Sequence, residues 1–131
     1  MKNINELSKH KRRVLRQYKH IYLDAINSQL SIYEKQSYNR HCPICHADKL
    51  IRDKECTLTP PLQNVPSYVI RCYHCLWYIL EETTCNMWLA TKTSKSIDFH
   101  TLILGDDDNI TKVRNERIQM LHKWRDFIAT L

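Results

Sequence analysis

The sequence predicts an α+β fold in which two amphipathic helical segments flank a β-rich middle. Three observations carry that expectation. Apolar residues recur at helical spacing near both ends, β-branched and aromatic residues concentrate between them, and three of the four prolines sit in one connection of that middle. With 131 residues, 43% apolar and 26% charged, the chain has the size and composition of one folded domain. The expected organisation is a single domain over 1–131, divided into segments 1–40, 41–85 and 86–131.

The N-terminal segment, residues 3 to 37, reads as one long helix opened by Asn3 with Glu6 as a capping pair. At 100° per residue, Leu7, Val14, Leu15, Tyr18, Ile21, Tyr22, Ala25, Ile26, Ile32 and Tyr33 gather on one half of the wheel. Lys9, Arg12, Arg13, Arg16 and His20 fall on the opposite half. The charge is concentrated there: residues 1–41 hold nine Lys and Arg against three acids, 42–85 four against five, and 86–131 seven against six. Like charges three and four apart repel by a few tenths of a kcal/mol per pair, so a ridge built against that cost points to a polyanion partner. A solvated face that keeps the chain soluble is the competing reading.

In the middle, Leu50 to Thr59 and Tyr68 to Thr83 read as strands, with the loop Pro60-Pro61-Leu62-Gln63-Asn64-Val65-Pro66-Ser67 between them. Beyond it, Met87 to Ala90 reads as a short turn, and Phe99 to Leu104 as a strand or a buried helical piece. Gly105-Asp106-Asp107-Asp108 marks a loop and an N-cap. In the helix that follows, Ile110, Val113, Met120, Leu121, Trp124, Phe127, Ile128 and Leu131 share a face, with Lys112, Glu116, Gln119, Lys123 and Asp126 opposite. Arg117 falls inside the apolar stripe, where it needs a carboxylate partner or must snorkel outward.

Composition also excludes. The single glycine, Gly105, rules out glycine-rich phosphate loops, dinucleotide fingerprints and nucleophile elbows, and leaves almost no residue free to adopt positive φ. No apolar run approaches the length of a membrane span, and the first twenty residues are basic, unlike a secretory signal. A cytoplasmic protein is expected, or a nucleoid or nuclear one, with no membrane partner.

The cysteines carry the chemistry. Cys42-Pro43-Ile44-Cys45 and Cys72-Tyr73-His74-Cys75 form two CxxC turns with 26 residues between them. Two such turns supply the four thiolates of a tetrahedral site, so Cys42, Cys45, Cys72 and Cys75 are expected to bind one structural Zn²⁺ per chain. His41, His46 and His74 crowd the site as outer neighbours or replacement ligands. Cys56 and Cys85 read as buried free thiols dispensable for the metal. Tyr68, Tyr73, Trp77 and Tyr78, with Arg71 among them, supply core or a stacking surface, and Trp77 is the first candidate for burial.

Residues 41–85 resemble the zinc-ribbon class, with a CPxC knuckle, a β-hairpin, a CxxC knuckle and a further strand, Leu76-Trp77-Tyr78-Ile79-Leu80. The two knuckles are also somewhat similar to the N-terminal zinc module of MqsA-type antitoxins, although the helix-turn-helix of those proteins is absent. His46 and Leu76 stand where many ribbons carry glycine. Zinc ribbons occur in transcription factors, polymerase subunits, ribosomal proteins, nucleases and antitoxins.

A zinc deaminase would need His-x-Glu ahead of its Pro-Cys-x-x-Cys run, which is missing here, and four cysteine ligands leave no open position for water, so no enzyme is expected. The expected function is a small nucleic-acid-binding protein regulating transcription, with DNA favoured over RNA. Lys9, Lys11, Arg12, Arg13, Arg16 and Lys19 would meet phosphates. The alternative is an adaptor whose ribbon docks on a larger protein such as a polymerase or a toxin. Pairing of the apolar stripes between two copies would give a homodimer.

Overall fold

The computed structural model describes residues 4–39, 41–55, 74–94 and 97–131. A 3₁₀ turn, Ile4–Glu6, leads into α1 (Lys9–Gln17), α2 (Lys19–Lys35), α3 (Pro43–Glu55), α4 (Leu76–Glu81), α5 (Cys85–Thr93), α6 (Phe99–Leu104) and α7 (Asp108–Ala129). No strand occurs among the described residues, which form an all-α fold. The expected α+β class and its central β ribbon are therefore wrong. Leu50 to Glu55 continue α3, and Leu76-Trp77-Tyr78-Ile79-Leu80 is helical. Positions 56–73, with the Pro60–Pro66 connection, lie outside the described residues, as does Asn3.

The reason for the error is local. An apolar run as short as Leu76–Leu80 carries no period, so strand and buried helix look alike in sequence. Here Leu76, Trp77, Ile79 and Leu80 are all buried, and burial on nearly every side settles the helix. Phe99–Leu104, read as strand or helix, is the helix α6.

The N-terminal helix is broken once, at Tyr18, whose φ and ψ of −107° and 24° end α1. Its N–H still bonds to Val14 O at 3.0 Å, and its carbonyl accepts from Tyr22 N at 3.1 Å. The apolar phase survives the break: Val14, Leu15, Tyr18, Tyr22, Ala25, Ile26, Ile32 and Tyr33 are buried, and Ile21 is half-buried. Caps follow the side chains available. Ser8, Thr84, Asp98 and Asp107 accept from Lys11, Met87, Thr101 and Ile110 amides, so Ser8 opens the first α-helix and the short turn foreseen at Met87 is a full helix.

α2 is the central element, packing against both α3 and α7. Trp77 is the hub of the core, edge-on to Trp124 at 4.9 Å and tilted against Trp88 at 5.3 Å. The Trp124 indole donates to Glu81 Oε1 at 2.8 Å. Left-handed backbone occurs at Gln36, Glu82 and Ser94, each ending a helix, and not at the glycine. Gly105 is extended, with φ −62°, and serves close approach instead: a Cβ there would meet Thr101 O at 2.7 Å and Ile110 at 2.9 Å. Arg114 Nη1 closes this end of α6, donating to the carbonyls of Leu102, Ile103 and Gly105. Among the described residues no helix is long and apolar enough to cross a membrane.

Candidate nucleic-acid interface and thiol cluster

Lys9, Arg12, Arg13 and Arg16 line one open groove of about 980 Å³ together with His10 and Gln17. Lys9 and Arg16 are exposed and Arg12 is half-exposed. The other expected phosphate contacts are engaged within the fold. Lys11 Nζ lies over the Tyr78 ring at 4.6 Å, and Lys19 Nζ donates to Ala129 O at 3.0 Å. Arg13 makes a bidentate pair with Glu55, Nη1 to Oε1 at 2.9 Å and Nη2 to Oε2 at 3.1 Å. Burial pushes the Glu55 carboxyl up, but hydrogen bonds from Arg13 and Tyr18 outweigh it and hold the group below its ordinary value. Three cations, Lys9, Arg12 and Arg16, thus remain as the outward-facing set of the ridge.

The cysteines gather differently from the two-knuckle expectation. Cys42 precedes Pro43, the first residue of α3, and its carbonyl accepts the first helical bond from His46 N at 3.0 Å. Cys45 lies in the first turn of α3, Cys75 is the N-cap of α4, and Cys85 is the first residue of α5. The Cys45 thiol donates toward Cys42 and Cys85, which pushes its own pKa up and lowers theirs, Cys85 to about 6. Cys75 stands close enough to Cys45 to act on it electrostatically. Cys72 and Cys56 lie outside the described residues, as do Tyr68, Arg71 and Tyr73.

Among the described residues, no group of three or more His, Cys, Asp and Glu side chains is arranged as a metal centre. With no strand among the described residues of 41–85 either, the expectation of a zinc ribbon there is not met. His41 and His46 are exposed beside the cluster, lining a cavity of about 520 Å³ with Cys42, Cys45 and Lys49. His74 is buried against His10, and burial lowers its pKa to about 4. Its backbone N–H donates to Asp48 Oδ1 at 3.1 Å, and its carbonyl accepts from the Tyr22 hydroxyl at 2.6 Å.

A buried chain of hydrogen bonds joins the two ends of the thiol cluster. Cys42 Sγ donates to Gln29 Oε1 at 3.0 Å, and Gln29 Nε2 donates to the Tyr33 hydroxyl at 3.0 Å. Arg117 Nη1 donates to the same hydroxyl at 3.2 Å, while Nη2 donates to Cys85 O at 3.1 Å. The Arg117 guanidinium also lies over Trp77 at 4.6 Å and Trp88 at 5.1 Å. It neither snorkels nor meets a carboxylate among the described residues. Sequence reasoning missed Cys85 as a member of the cluster. The signal for it was Arg117 itself, a cation in an apolar stripe that calls for a buried anion.

Comparison of the chain with protein-family models, curated proteins and solved structures finds no match.

Proposed function

We propose that the chain is a cytoplasmic nucleic-acid-binding protein acting in transcription, and that the outer face of α1 meets the phosphates of DNA in preference to RNA. One observation carries the reading: Lys9, Arg12 and Arg16 project from one short helix into a single open groove. A helix rises about 1.5 Å per residue, so these cations span about 10 Å, the axial length of roughly three phosphates on one strand. The opposite face of α1 is anchored by buried Val14 and Leu15, so the backbone that carries the cations is already ordered before binding.

Fluorescence anisotropy with labelled duplex and single strands, repeated as salt is varied, tests the proposal. The wild-type chain is expected to bind duplex at low salt with an inverse salt dependence. Lys9→Gln/Arg12→Gln/Arg16→Gln should flatten the plot of log affinity against log salt by about 2.7 units, at about 0.9 for each phosphate no longer neutralised. An unchanged slope, or no binding by the wild type at low salt, refutes it, and the second of these outcomes favours the protein-docking alternative.

A further inference from the structure

We propose that Cys42 and Cys45 form a reversible disulfide, made by thiol–disulfide exchange with an anionic peptide disulfide that enters through the cavity lined by His41, Cys42, Cys45, His46 and Lys49. Glutathione disulfide is the probe. This cavity shares no lining residue with the basic groove of α1, so the site stands independently of what that groove binds.

The pairing follows from the backbone. Two residues three apart inside a regular helix hold their Cβ atoms about 5–6 Å apart, beyond the roughly 3.5–4.5 Å that a disulfide spans. Cys42 is not inside the helix. α3 begins at Pro43, and the Cys42 carbonyl accepts the first helical hydrogen bond, from His46 N at 3.0 Å, so Cys42 is the N-cap and Cys45 the third helical residue. The ring of Pro43 disfavours helical φ and ψ at the residue before it. An N-cap side chain folds back over the first turn toward the third residue, the route by which a capping group reaches that residue's amide. At this helix the same swing carries the Cys42 sulfur toward Cys45. In keeping with it, Cys45 acts on Cys42 through both its thiol and its backbone N–H, and favours the Cys42 thiolate.

The site is also accessible. Cys45 is exposed and Cys42 half-buried, both thiols are free, and both line the same open cavity of about 520 Å³, a size typical of small-ligand sites. The other lining residues, His41, His46 and Lys49, are exposed and include no acid, which suits an anionic reactant. Cys75, by contrast, is only 3% exposed.

Buried Gln29 makes the bridge easy to reopen. Its Oε1 accepts from the Cys42 thiol at 3.0 Å. Oxidation removes that S–H and takes this donor from a buried acceptor, which favours the dithiol.

The exchange runs in two steps. The Cys42 thiolate attacks one sulfur of glutathione disulfide, a bond to Cys42 forms, and the reagent's own S–S bond breaks to release one glutathione thiolate, which takes up a proton. Cys45 gives its proton to solvent, attacks Cys42 Sγ and expels the second glutathione. Two protein thiols are oxidised by two electrons, and one glutathione disulfide is reduced to two thiols.

The test uses the full reduced chain, equilibrated in glutathione buffers of rising disulfide fraction, acid-quenched, alkylated with N-ethylmaleimide and digested with trypsin. Cleavage after Arg40 and Lys49 leaves Cys42 and Cys45, and no other cysteine, on peptide 41–49. That peptide is expected to lose both alkyl adducts, to weigh two hydrogens less than the dithiol, and to regain both adducts after dithiothreitol. Cys45→Ser should instead hold one glutathione on Cys42, because the resolving thiol is gone. Lys49→Glu should slow oxidation by glutathione disulfide several-fold and leave oxidation by uncharged 2-hydroxyethyl disulfide unchanged. Peptide 41–49 still doubly alkylated in excess glutathione disulfide, or Cys45 recovered bridged to Cys85, overturns the proposal. Equal rates with glutathione disulfide for wild type and Lys49→Glu overturn the entry route. The peptide assay needs no variant, so it decides the pairing even if Cys45→Ser does not fold.

Discussion

Replacing Arg13 by glutamine separates the structural part of the basic ridge from its outward-facing part. Arg13 sits among Lys9, Arg12 and Arg16, and helical phase alone makes all four look interchangeable. The structure distinguishes them, because the Arg13 fork closes on Glu55, whose side chain is 2% exposed against 40% for Arg13. Breaking a fully buried pair costs about 3–5 kcal/mol, whereas an exposed pair contributes under about 1 kcal/mol. A pair with one buried and one partly solvated partner falls between, so Arg13→Gln should cost about 2 kcal/mol. Glutamine is nearly as good a helix former as arginine, so little of this comes from backbone propensity.

The pH dependence has a definite sign. In the wild type the Glu55 carboxyl lies below its ordinary value, so its contribution is present above the carboxylate range and lost as pH falls through its lowered pKa. Without Arg13, burial dominates and the pKa moves up. The deficit of Arg13→Gln is then largest near neutrality and shrinks as acid protonates the stranded carboxylate. Urea unfolding followed by circular dichroism at pH 7.5 and 4.5, with Glu55→Gln completing a double-mutant cycle, measures both. A loss within about 0.5 kcal/mol at pH 7.5, where ordinary surface substitutions fall, would refute the reasoning. So would a deficit that grows on acidification.

Burial pushes the Asp48 carboxyl up to about 7 against the opposing Arg52 and the His74 amide, so the folded chain holds this proton more tightly than the unfolded one. Stability from this group therefore falls as pH rises from about 4 to about 7, and Asp48→Asn, which keeps the acceptor, should exceed wild type by roughly 2–4 kcal/mol at pH 8 and by little near pH 4 in urea titrations. Trp124→Ala, at a side chain with no exposed surface, should cost about 3–5 kcal/mol by chemical denaturation, and Lys112→Ala on the exposed face under about 0.5 kcal/mol. Gly105→Ala should cost about 1–3 kcal/mol by steric overlap with Thr101 O and Ile110, although its φ suits any residue; a thermal melt equal to wild type would contradict this.

The sequence by itself determined the faces of the long helices. Tyr22, Ala25, Ile26 and Tyr33, and Val113, Leu121, Trp124 and Ile128, recur at helical spacing and are buried, because a repeat sustained over several turns leaves one orientation that hides them all. A cap within Gly105-Asp106-Asp107-Asp108 was equally legible, and the structure assigns it to Asp107, whose carboxylate accepts from the Ile110 amide three residues on. The middle was not legible. Leu76–Leu80 is short and wholly apolar, and whether such a run extends or coils depends on what surrounds it, here Trp88, Trp124 and the buried guanidinium of Arg117. The thiol cluster was half legible. CxxC spacing identifies Cys42 and Cys45 because their separation is local, but Cys85 reaches them only through the packing of α5 against the same core. Arg13 makes the same point on the surface: its position on α1 follows from the helical repeat, while its partner Glu55 lies 42 residues away and is brought to it only when α3 folds back along α2.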